Sequence, residues 1–473
     1  MRQIMKLSDI LDIQNDTEIT GITADSREIS QGFVFGSLND ESYITDAISK
    51  GAVAIITNKA YSSSFDNVIM IKVDNPAQVY AKAVAKYFGK QPKHMAAITG
   101  TNGKTSIADF VRQIINSIGR KAASIGTLGI IKNNLSPIYL PNTTPNNVTL
   151  HKNLYTLATE GYDHVILEAS SHGLDQCRLG GCSFDVAGFT NLTRDHLDYH
   201  QTLDNYFKAK MILFQHNLKK GGYAVLNADI KEFAEIEKIC QTNSQQIISY
   251  GTNGQDIKLL KSTPTAQGQI LDLVYFGNPQ SIEIPLVGQF QAMNILCAAG
   301  IAVAMTNQKN DVLKSLSLIK GAKGRLEFIG TTPNNASIFI DYAHTPDAIE
   351  QILKALRPHT QQNLKILFGC GGNRDKGKRP IMGKIANDLA DEIFITDDNP
   401  RFEDANIIRE EIIASCPKGI NIPDRAVAIA QAIASLKSGD VLVIAGKGHE
   451  TGQYIQGNII PFSDHEEVIK NLS

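Results

Sequence analysis

One short segment, AAITGTNGKTSIADF at residues 96–110, restricts the possible folds of this chain more than any other. Residues 96–99 read as a buried strand, a glycine-containing turn follows, and a helix is predicted from about Lys104. A helix that starts at such a turn directs its free N–H groups and its positive dipole end toward an anion. The segment therefore predicts a phosphate-binding loop; the alternative is a glycine turn that only starts a helix.

This loop is shorter than the common phosphate-binding motif. In G-x-x-x-x-G-K-[ST] a glycine stands five residues before the G-K pair, and here that position is Ile98, with Gly100 as the nearest upstream glycine. Lys104 supplies a point charge that can reach outer phosphates. Thr105, with Ser106 beside it, stands where the hydroxyl ligand of magnesium is expected.

The chain as a whole predicts an α/β protein of three domains. Its 473 residues exceed one compact core, and buried strand patterns alternate with helical ones, which favours mostly parallel sheets. A region from ISYGTN to IEIPLVG looks more antiparallel. We expect an N-terminal domain at 1–91, a central phosphate-loop ATPase domain at 92–325, and a C-terminal Rossmann-like, doubly wound domain at 326–473 whose ligands gather at the carboxyl ends of its strands.

Composition narrows the classes of partner. A formal net charge of −2 gives no basic excess for a nucleic-acid backbone, and no apolar stretch predicts membrane insertion. The start, MRQIMKLSDI, lacks the apolar run of a secretion signal, and the six cysteines form no paired framework. Cys177 and Cys182 are read as plain thiols, with half a metal site as the alternative. We expect small-molecule substrates and a cytoplasmic location.

Polar segments that follow predicted strands recur along the whole chain. They are NTTP at 142–145, LEASSHGLDQCRL at 167–179, FTNLTRDHLDYH at 189–200, YFKAK at 206–210, GRLEFIG at 324–330, DYAHTPDA at 341–348, GGNRDKGKRP at 371–380, DDNPR at 397–401 and AGKGHE at 445–450. Together with GTNGKTS, their order and approximate spacing resemble the Mur ligase family and its folylpolyglutamate synthase relatives. The resemblance covers all three expected domains and is greatest to family members that add the third peptide residue to UDP-N-acetylmuramoyl-L-alanyl-D-glutamate.

That resemblance implies an ATP-dependent amide ligase. ATP would phosphorylate a carboxylate to an acyl phosphate, and an amine, here meso-diaminopimelate, would then displace the phosphate. Charge builds on phosphoryl oxygens and on a tetrahedral oxyanion, which calls for Mg²⁺, lysine and placed donors more than for a protein nucleophile. A monomer working in peptidoglycan precursor synthesis is the expected form.

The resemblance also implies roles for individual residues. Those for ATP are Gly100, Thr101, Asn102, Gly103, Lys104, Thr105, Ser106, Asn294, Arg325 and Asp341. Those for the UDP-sugar peptide are Ser26, Asn142, Thr143, Thr144, Ser170, Gln176 and Arg178. Those for diaminopimelate are Arg374, Asp398, Asn399, Pro400, Arg401, Gly446 and Glu450. Those for the metal are Thr105, Glu168, His196 and Lys210 as a carbamate formed from CO2, with Lys104, Lys210, His196 and Arg325 as the catalytic set.

Several of these residues have simpler interpretations. Lys210 has apolar neighbours, and burial would favour the neutral amine that adds CO2, yet the pattern alone favours a solvated helix lysine. Glu168 is alternatively a helix cap or half of a structural ion pair, and Asp341 a cap. His196 and His200 have the spacing of a zinc pair, but Leu197 occupies the glutamate position of H-E-x-x-H.

Arg401 carries the choice of amine. Diaminopimelate differs from lysine by a second amino-acid head, whose carboxylate a guanidinium can bind in bidentate fashion. The alternative is a surface turn with a solvated arginine. The segment SLNDESY is shorter than the family pattern, so no uridine contacts are assigned there.

Competing functions remain at this point. A lysine-adding ligase of the same family disagrees with Arg401, and a folylpolyglutamate-synthase-like ligase does not explain NTTP. A kinase or motor ATPase would lack a third, amino-acid-binding domain. A non-catalytic nucleotide-sugar-binding regulator has no need for Lys104, Glu168, Lys210 and Arg325 together.

Overall fold

The structure is a computed structural model that describes residues 5–38, 40–133, 135–265 and 268–472. The chain forms two compact units, Met1–Tyr250 with Cys297–Val312 and Gly251–Leu296 with Leu313–Ser473. Both contain parallel sheets flanked by helices, which confirms the α/β fold class. The three domain boundaries stay a prediction.

A small parallel sheet occupies the N-terminal part of the first unit. Its strand order is β3-β4-β5-β6, and the central strand β5 is almost wholly buried because helices cover it. The elements are β1 Met5–Lys6, α1 Leu7–Ile10, β2 Glu18–Ile19, β3 Gly21–Thr23, β4 Phe33–Gly36, α2 Ile44–Ser49, β5 Ala52–Asn58, β6 Ile69–Val73 and α3 Pro76–Phe88.

A larger sheet follows in the same unit, with neighbouring strands in the order β13-β12-β11-β7-β10-β8-β9. All pairs are parallel except β8 with β9. The strands are β7 His94–Thr99, β8 Ala122–Gly126, β9 Gly129–Ile131, β10 His164–Glu168, β11 Phe184–Phe189, β12 Leu218–Asn227 and β13 Gln246–Gly251; the helices are α4 Lys104–Ser117, α5 Asn147–Thr159, α6 Ser171–Asp175, α7 Leu197–His200, α8 Leu203–Ile212 and α9 Phe233–Thr242.

The predicted strand at 96–99 and the helix from Lys104 are confirmed by β7 and α4. The strand before Glu168 is confirmed by β10, and the helix around Lys210 by α8, which ends in a π-helical turn at Leu213–Asn217. The antiparallel interpretation from residue 248 onward is wrong at its start, because β13 pairs parallel with β12. The segment ISYG is buried on both faces of the sheet, so its sequence does not alternate clearly between apolar and polar residues.

Helix α10, Gln289–Thr306, carries the chain from the second unit back to the first, and α11 Lys309–Ser315 follows it. Within the described ranges it is the one helix long and apolar enough to cross a membrane by length and composition. Buried residues make up 72% of that stretch. That burial is what a core helix of a globular protein shows.

The second unit begins with an antiparallel meander and continues as a six-stranded sheet in the order β17-β18-β22-β19-β20-β21. Only β17 runs antiparallel to its neighbour in that sheet. The elements are β14 Ile257–Pro264, β15 Gln269–Tyr275, β16 Asn278–Ile284, β17 Glu327–Thr331, β18 Ser337–Asp341, α12 Pro346–Leu356, β19 Leu364–Phe368, α13 Lys378–Leu389, β20 Glu392–Ile395, α14 Ala405–Ile413, β21 Gly419–Asn421, α15 Arg425–Ala434, β22 Val441–Ala445, β23 Gly452–Ile455, β24 Asn458–Pro461 and α16 Asp464–Leu472.

This topology sets the loops after β18, β19, β20 and β22 along one edge of the sheet. A buried ion pair contacts that edge at the end of β22. The Arg425 guanidinium donates to both oxygens of Asp464, at 2.7 and 2.8 Å, and to the carbonyl of Ala445 at the end of β22. The pair joins the start of α15, the start of α16 and the end of β22. These contacts are strongly favoured, because removing one partner would leave an uncompensated buried charge.

Candidate active site

The phosphate loop is built by two glycines with positive φ. Gly100 (φ 141°) follows β7, and Gly103 (φ 89°) precedes the first turn of α4. A Cβ at Gly100 would lie 1.9 Å from Oγ1 of Thr190, so no larger residue fits. The Lys104 ammonium donates to the carbonyls of Gly100 and Thr101, at 2.8 and 2.7 Å. The chain therefore closes a tight phosphate loop without the two extra residues of the common motif.

The neighbouring segment 190–193 anchors this loop. Thr190 donates its hydroxyl to the carbonyl of Asn102 at 2.6 Å, and the N–H of Asn102 donates to Oδ1 of Asn191 at 2.9 Å. The hydroxyl of Thr101 accepts from the N–H of Thr193 at 3.0 Å. The backbone of the loop is consequently fixed before any ligand binds.

Glu168 is the last residue of β10, which pairs with β7, and its side chain reaches the start of α4. Oε2 of Glu168 accepts from the Thr105 hydroxyl at 2.9 Å, and Oε1 accepts from the N–H of Thr127 at 2.8 Å. In the part of the chain that the structure describes, Glu168 has no ion pair, so it is a buried carboxylate held by neutral donors.

Thr105 and Glu168 together fit the needs of Mg²⁺. That ion binds through one or two protein oxygens and completes its octahedron with phosphate oxygens and water. No group of three or more His, Cys, Asp and Glu residues converges as a metal site within the described residues. A hydroxyl and a carboxylate at the mouth of a phosphate loop are the donors that a nucleotide-bound magnesium uses.

The simpler interpretation of Lys210, a solvated helix lysine, is wrong. Lys210 is 1% exposed, its ammonium donates to the carbonyl of Gly100 at 2.9 Å, and it lies 4.1 Å from the ring centroid of Tyr206. Burial, and then the positive charge of Lys104, hold the pKa of Lys210 well below its ordinary value. Helix α8 turns this face against the phosphate loop, so the lysine is not solvated and the neutral amine is favoured.

The two predicted histidines do not form a zinc pair. His196 (φ 52°) precedes the short helix α7 and is half-exposed beside Asp195. His200 is buried and its Nε2 lies 3.0 Å from the hydroxyl of Ser171. Between them stands His172, whose ring centroid is 4.8 Å from that of His196. Burial lowers the pKa of both His172 and His200.

Most residues predicted for the UDP-sugar peptide come together beside Glu168. Thr144 is buried and donates to the carbonyl of Glu168 at 2.8 Å while accepting from Ser170. Arg178 donates to the carbonyl of Thr144 at 2.8 Å and to Oε1 of Gln176. Thr143 bonds to the Thr127 hydroxyl at 3.0 Å, and Asn142 is exposed next to it.

Ser26 lies apart from that group in sequence, in a short 3₁₀ turn of the N-terminal part, where it is buried and its carbonyl accepts from Lys50. A cavity of about 470 Å³ opens at the segment to which no uridine contact was assigned, lined among others by Ser37, Asp40 and Asn58. Sequence spacing gave no signal for this cavity.

In the second unit, Asp341 does not cap a helix, because Thr345 is the N-cap of α12. Its carboxylate accepts from the N–H groups of Leu326 and Ala343, at 2.5 and 2.6 Å, and so joins the end of β18 to the segment before β17. Burial raises the pKa of Asp341, and the charge of Arg325 opposes that shift. The Arg325 guanidinium lies 4.7 Å from the ring centroid of Tyr342.

Asn294 is held in the same unit by a short chain of amides. Its Nδ2 donates to Oε1 of Gln291 at 2.9 Å. Gln291 in turn donates to the carbonyl of Arg325 at 3.4 Å. Two of the residues predicted for ATP are thereby linked, and their contacts to a nucleotide stay a prediction.

The DDNPR loop after β20 docks on the loop after β19. Nη1 of Arg401 donates to the carbonyl of Gly372 at 2.9 Å, and the N–H of Gly372 donates to the carbonyl of Asn399 at 2.9 Å. A Cβ at Gly372 would lie 1.9 Å from the carbonyl oxygen of Pro400. Arg401 is half-buried in a left-handed conformation (φ 54°), so a fully solvated surface arginine is not what the loop contains.

The other residues predicted for diaminopimelate surround that loop. Asp398 is buried, its Oδ2 has no hydrogen-bond partner among the residues that the structure describes, and burial raises its pKa. Gly446 (φ 111°) leaves room for it, since a Cβ there would lie 2.6 Å from Oδ2. Asn399 donates to Oε2 of Glu450 at 2.9 Å, and Arg374 is exposed on the neighbouring loop.

Sequence reasoning missed two residues that hold these sites. Thr127 donates its N–H and hydroxyl to Glu168, and Lys447 bonds to both Asn399 and Glu450. Thr127 directly follows a buried strand and Lys447 follows one by two residues, and each sits beside or between glycines. That position was the available signal.

The fold and the site define an α/β protein that has a phosphate loop in one unit and a six-stranded, mostly parallel sheet in the other. ATP-dependent ligases are one class with this combination. The descriptions "Mur ligase middle domain" and "Mur ligase, glutamate ligase domain" match residues 98–302 and 324–448. The chain is 43% identical over 481 residues to the UDP-N-acetylmuramoyl-L-alanyl-D-glutamate–2,6-diaminopimelate ligase of Caulobacter vibrioides, covering 99% of this chain and 98% of that one. It therefore belongs to the Mur ligase family.

Further relatives agree. The ligase of the same name from Agrobacterium fabrum is 44% identical over 461 residues, covering 96% of this chain and 94% of the relative. A solved structure of a ligase with that name has a TM-score of 0.76 at 32% identity, covering 99% of both chains. A MurF ligase from Thermotoga maritima in complex with ADP has a TM-score of 0.62 at 18% identity, covering 95% of this chain and 96% of that one, and supports the fold alone.

We predict that Gly100→Ala weakens ATP binding by about tenfold or more, roughly 1.4 kcal/mol, because the methyl group collides with Thr190 and displaces the loop. Calorimetric titration with ATP and magnesium measures the change. Gly119→Ala is the matched control, since Gly119 also has a positive φ (80°) but no atom within 4 Å of its Cβ position. Equal affinities in the two variants would show that the loop does not bind the nucleotide.

Proposed function

We propose that this protein is an ATP-dependent, ADP-forming amide ligase that joins meso-diaminopimelate to UDP-N-acetylmuramoyl-L-alanyl-D-glutamate in peptidoglycan precursor synthesis. The observation that carries the proposal is the identity of 43–44% over nearly the whole chain to ligases of that name. The phosphate loop in one unit and the Asn399–Arg401 loop in the other support it with the two kinds of site that the reaction needs.

The reaction proceeds in two balanced steps. A carboxylate oxygen of the UDP-sugar peptide attacks the γ-phosphorus of ATP, and ADP leaves as the acyl phosphate forms. The amine of diaminopimelate then attacks the acyl carbon, and phosphate leaves with the loss of a proton from nitrogen. Positioning and charge stabilisation carry both steps.

The residues around the phosphate loop serve the first step. The free N–H groups of α4 and the ammonium of Lys104 stabilise negative charge on the outer phosphates. Thr105 and Glu168 would hold Mg²⁺, which supplies further charge neutralisation when bound. Asn294, Arg325 and Asp341 are proposed to complete the nucleotide site, and His196 to lie near the metal.

Carbamylation of Lys210 is part of the proposal. The nitrogen of the neutral amine would bond to the carbon of CO2 and release one proton, which turns the buried amine into a carboxylate-like group. The lowered pKa supports this, because only the neutral amine is nucleophilic toward CO2. Its position 2.9 Å from the carbonyl of Gly100 puts the product next to the phosphate loop.

Substrate groups are assigned by the chemistry of their partners. Ser26, Asn142, Thr143, Thr144, Ser170, Gln176 and Arg178 offer hydroxyls, amides and a guanidinium suited to the sugar, diphosphate and peptide carboxylates. Arg374 and Arg401 would bind the distal carboxylate of diaminopimelate, and Glu450 the distal ammonium. We place the enzyme in the cytoplasm as a monomer, with domains at 1–91, 92–325 and 326–473.

The proposal is tested by phosphate release from the purified protein with ATP, magnesium and the UDP-sugar dipeptide, comparing meso-diaminopimelate with L-lysine and identifying the product by mass. We expect turnover with diaminopimelate alone. Turnover with lysine alone would retain the ligase and overturn the substrate, and turnover with neither would overturn the ligase reaction itself.

Arg401→Ala should raise the KM for diaminopimelate, because a charge-assisted contact is lost. The rise should correspond to a loss of about 1.5–3 kcal/mol in the apparent binding free energy of diaminopimelate. The KM for ATP should change little. Steady-state kinetics with each substrate varied in turn measure both. Arg357→Ala, which removes a half-exposed arginine paired with Asp391 in the same unit, is the control. An unchanged KM for diaminopimelate would remove Arg401 from the site.

Lys210→Ala should lose nearly all activity and regain part of it when a short carboxylate such as acetate is added, because the carboxylate replaces the carbamate. Turnover measured against acetate concentration tests this. Lys208→Ala is matched to it, since Lys208 lies on the same helix but is exposed and paired with Asp204. Full activity of Lys210→Ala without acetate would exclude the carbamate from the mechanism.

A further inference from the structure

Lys447 is a fully buried lysine directly behind the Asn399–Arg401 loop. It follows β22 by two residues, and its side chain is 0% exposed. Its ammonium donates to Oδ1 of Asn399 at 3.0 Å and to Oε2 of Glu450 at 3.0 Å. A buried ammonium is costly unless it is paired and hydrogen-bonded, so these two partners are what keep the lysine in place.

The lysine helps to set which way the Asn399 amide points. Oδ1 of Asn399 accepts from Lys447 and from the backbone N–H of Tyr454, at 3.0 and 3.1 Å. An ammonium has three donors and no acceptor, so only the carbonyl oxygen of the amide can face it. Nδ2 of Asn399 is thereby turned to Oε2 of Glu450, 2.9 Å away.

The same contacts orient the Glu450 carboxylate. Its Oε2 accepts from both Asn399 and Lys447, and the side chain keeps 28% of its surface exposed. Within the described residues Oε1 makes no hydrogen bond or ion pair. One carboxylate oxygen is fixed by the protein, and the other is left for a cation.

We infer that Lys447 is a positioning residue for the amino-acid substrate: it orients Asn399 and Glu450 so that Oε1 of Glu450 receives a substrate ammonium. The inference rests on the proposed function and extends it to a residue that touches no substrate. Without the lysine, Oδ1 of Asn399 keeps only the N–H of Tyr454 as a donor, and Oε2 of Glu450 keeps only Asn399, so both side chains are held less firmly. The binding of the amino acid should suffer, while the phosphate loop in the other unit keeps its own contacts.

Lys365 offers a matched control within the same sheet. It is also a buried lysine, 3% exposed, and it donates to the carbonyl and hydroxyl of Ser435 and pairs with Glu392 at 2.5 Å. It is the second residue of β19, at the amino end of a strand, whereas Lys447 follows the carboxyl end of β22. Both lysines cost stability when replaced, but only one faces the substrate loops.

The test compares Lys447→Met with Lys365→Met in the full-length enzyme. We expect Lys447→Met to raise the KM for diaminopimelate about tenfold or more and to leave the KM for ATP and for the UDP-sugar dipeptide within about twofold. Lys365→Met should lower the melting temperature and leave all three KM values within about twofold. If Lys447→Met does not fold, Lys447→Gln, which keeps a donor for Asn399 but no charge, is measured in its place.

A double-mutant cycle separates positioning from direct binding. Because Lys447 acts through its partners, adding Lys447→Met to Asn399→Ala/Glu450→Ala should raise the KM for diaminopimelate by less than about twofold further. Additive effects, or an unchanged KM in Lys447→Met, would overturn the inference while the ligase reaction of the wild type stands. No turnover of the wild-type enzyme with diaminopimelate would overturn the proposed function, and the inference with it.

Discussion

The parallel pairing of β7 with β10 is the constraint on which the candidate active site depends. Its register sets Glu168 opposite Ile98, so the last residue of one strand lies beside the phosphate loop that follows the other. The adjacent strand β8 ends in Gly126, where a Cβ would lie 2.0 Å from Oε1 of Glu168. Gly126 thus leaves the space that the Glu168 carboxylate occupies beside Thr105, and the sheet in this way brings together the two residues proposed to hold Mg²⁺.

Two buried lysines, Lys210 and Lys447, differ in the groups that surround their nitrogen atoms. Lys210 has a carbonyl oxygen and an aromatic ring as its partners and Lys104 as a nearby like charge, so the neutral amine is favoured. Lys447 has the Glu450 carboxylate within 3.0 Å, which compensates the buried charge. The first lysine is suited to chemistry at its nitrogen, and the second to fixing its neighbours.

Strands and their following loops could be predicted because apolar runs such as those of β7, β10 and β22 are long enough to be recognised without tertiary information. The burial of Lys210 could not, since the periodicity around it does not say which face of α8 meets the phosphate loop. Thr127 and Lys447 bind no expected ligand group and act through other residues, so neither motif spacing nor residue type singled them out. The roles assigned to loop residues such as Ser26 came from family resemblance alone.

In the loops proposed to bind the amino acid, the hydrogen bonds that hold the backbone are separate from the side chain proposed to bind the substrate. Backbone bonds join Gly372 to Asn399, Arg401 to Tyr454 and Gln456 to Arg401, and none of them needs the Arg401 side chain. Among the described residues that side chain bonds only through Nη1, to the carbonyls of Gly372 and Asn399, whereas a guanidinium carries five N–H donors. The loop can therefore keep its position when the arginine is replaced, which the proposed role of that guanidinium in the choice between amines requires.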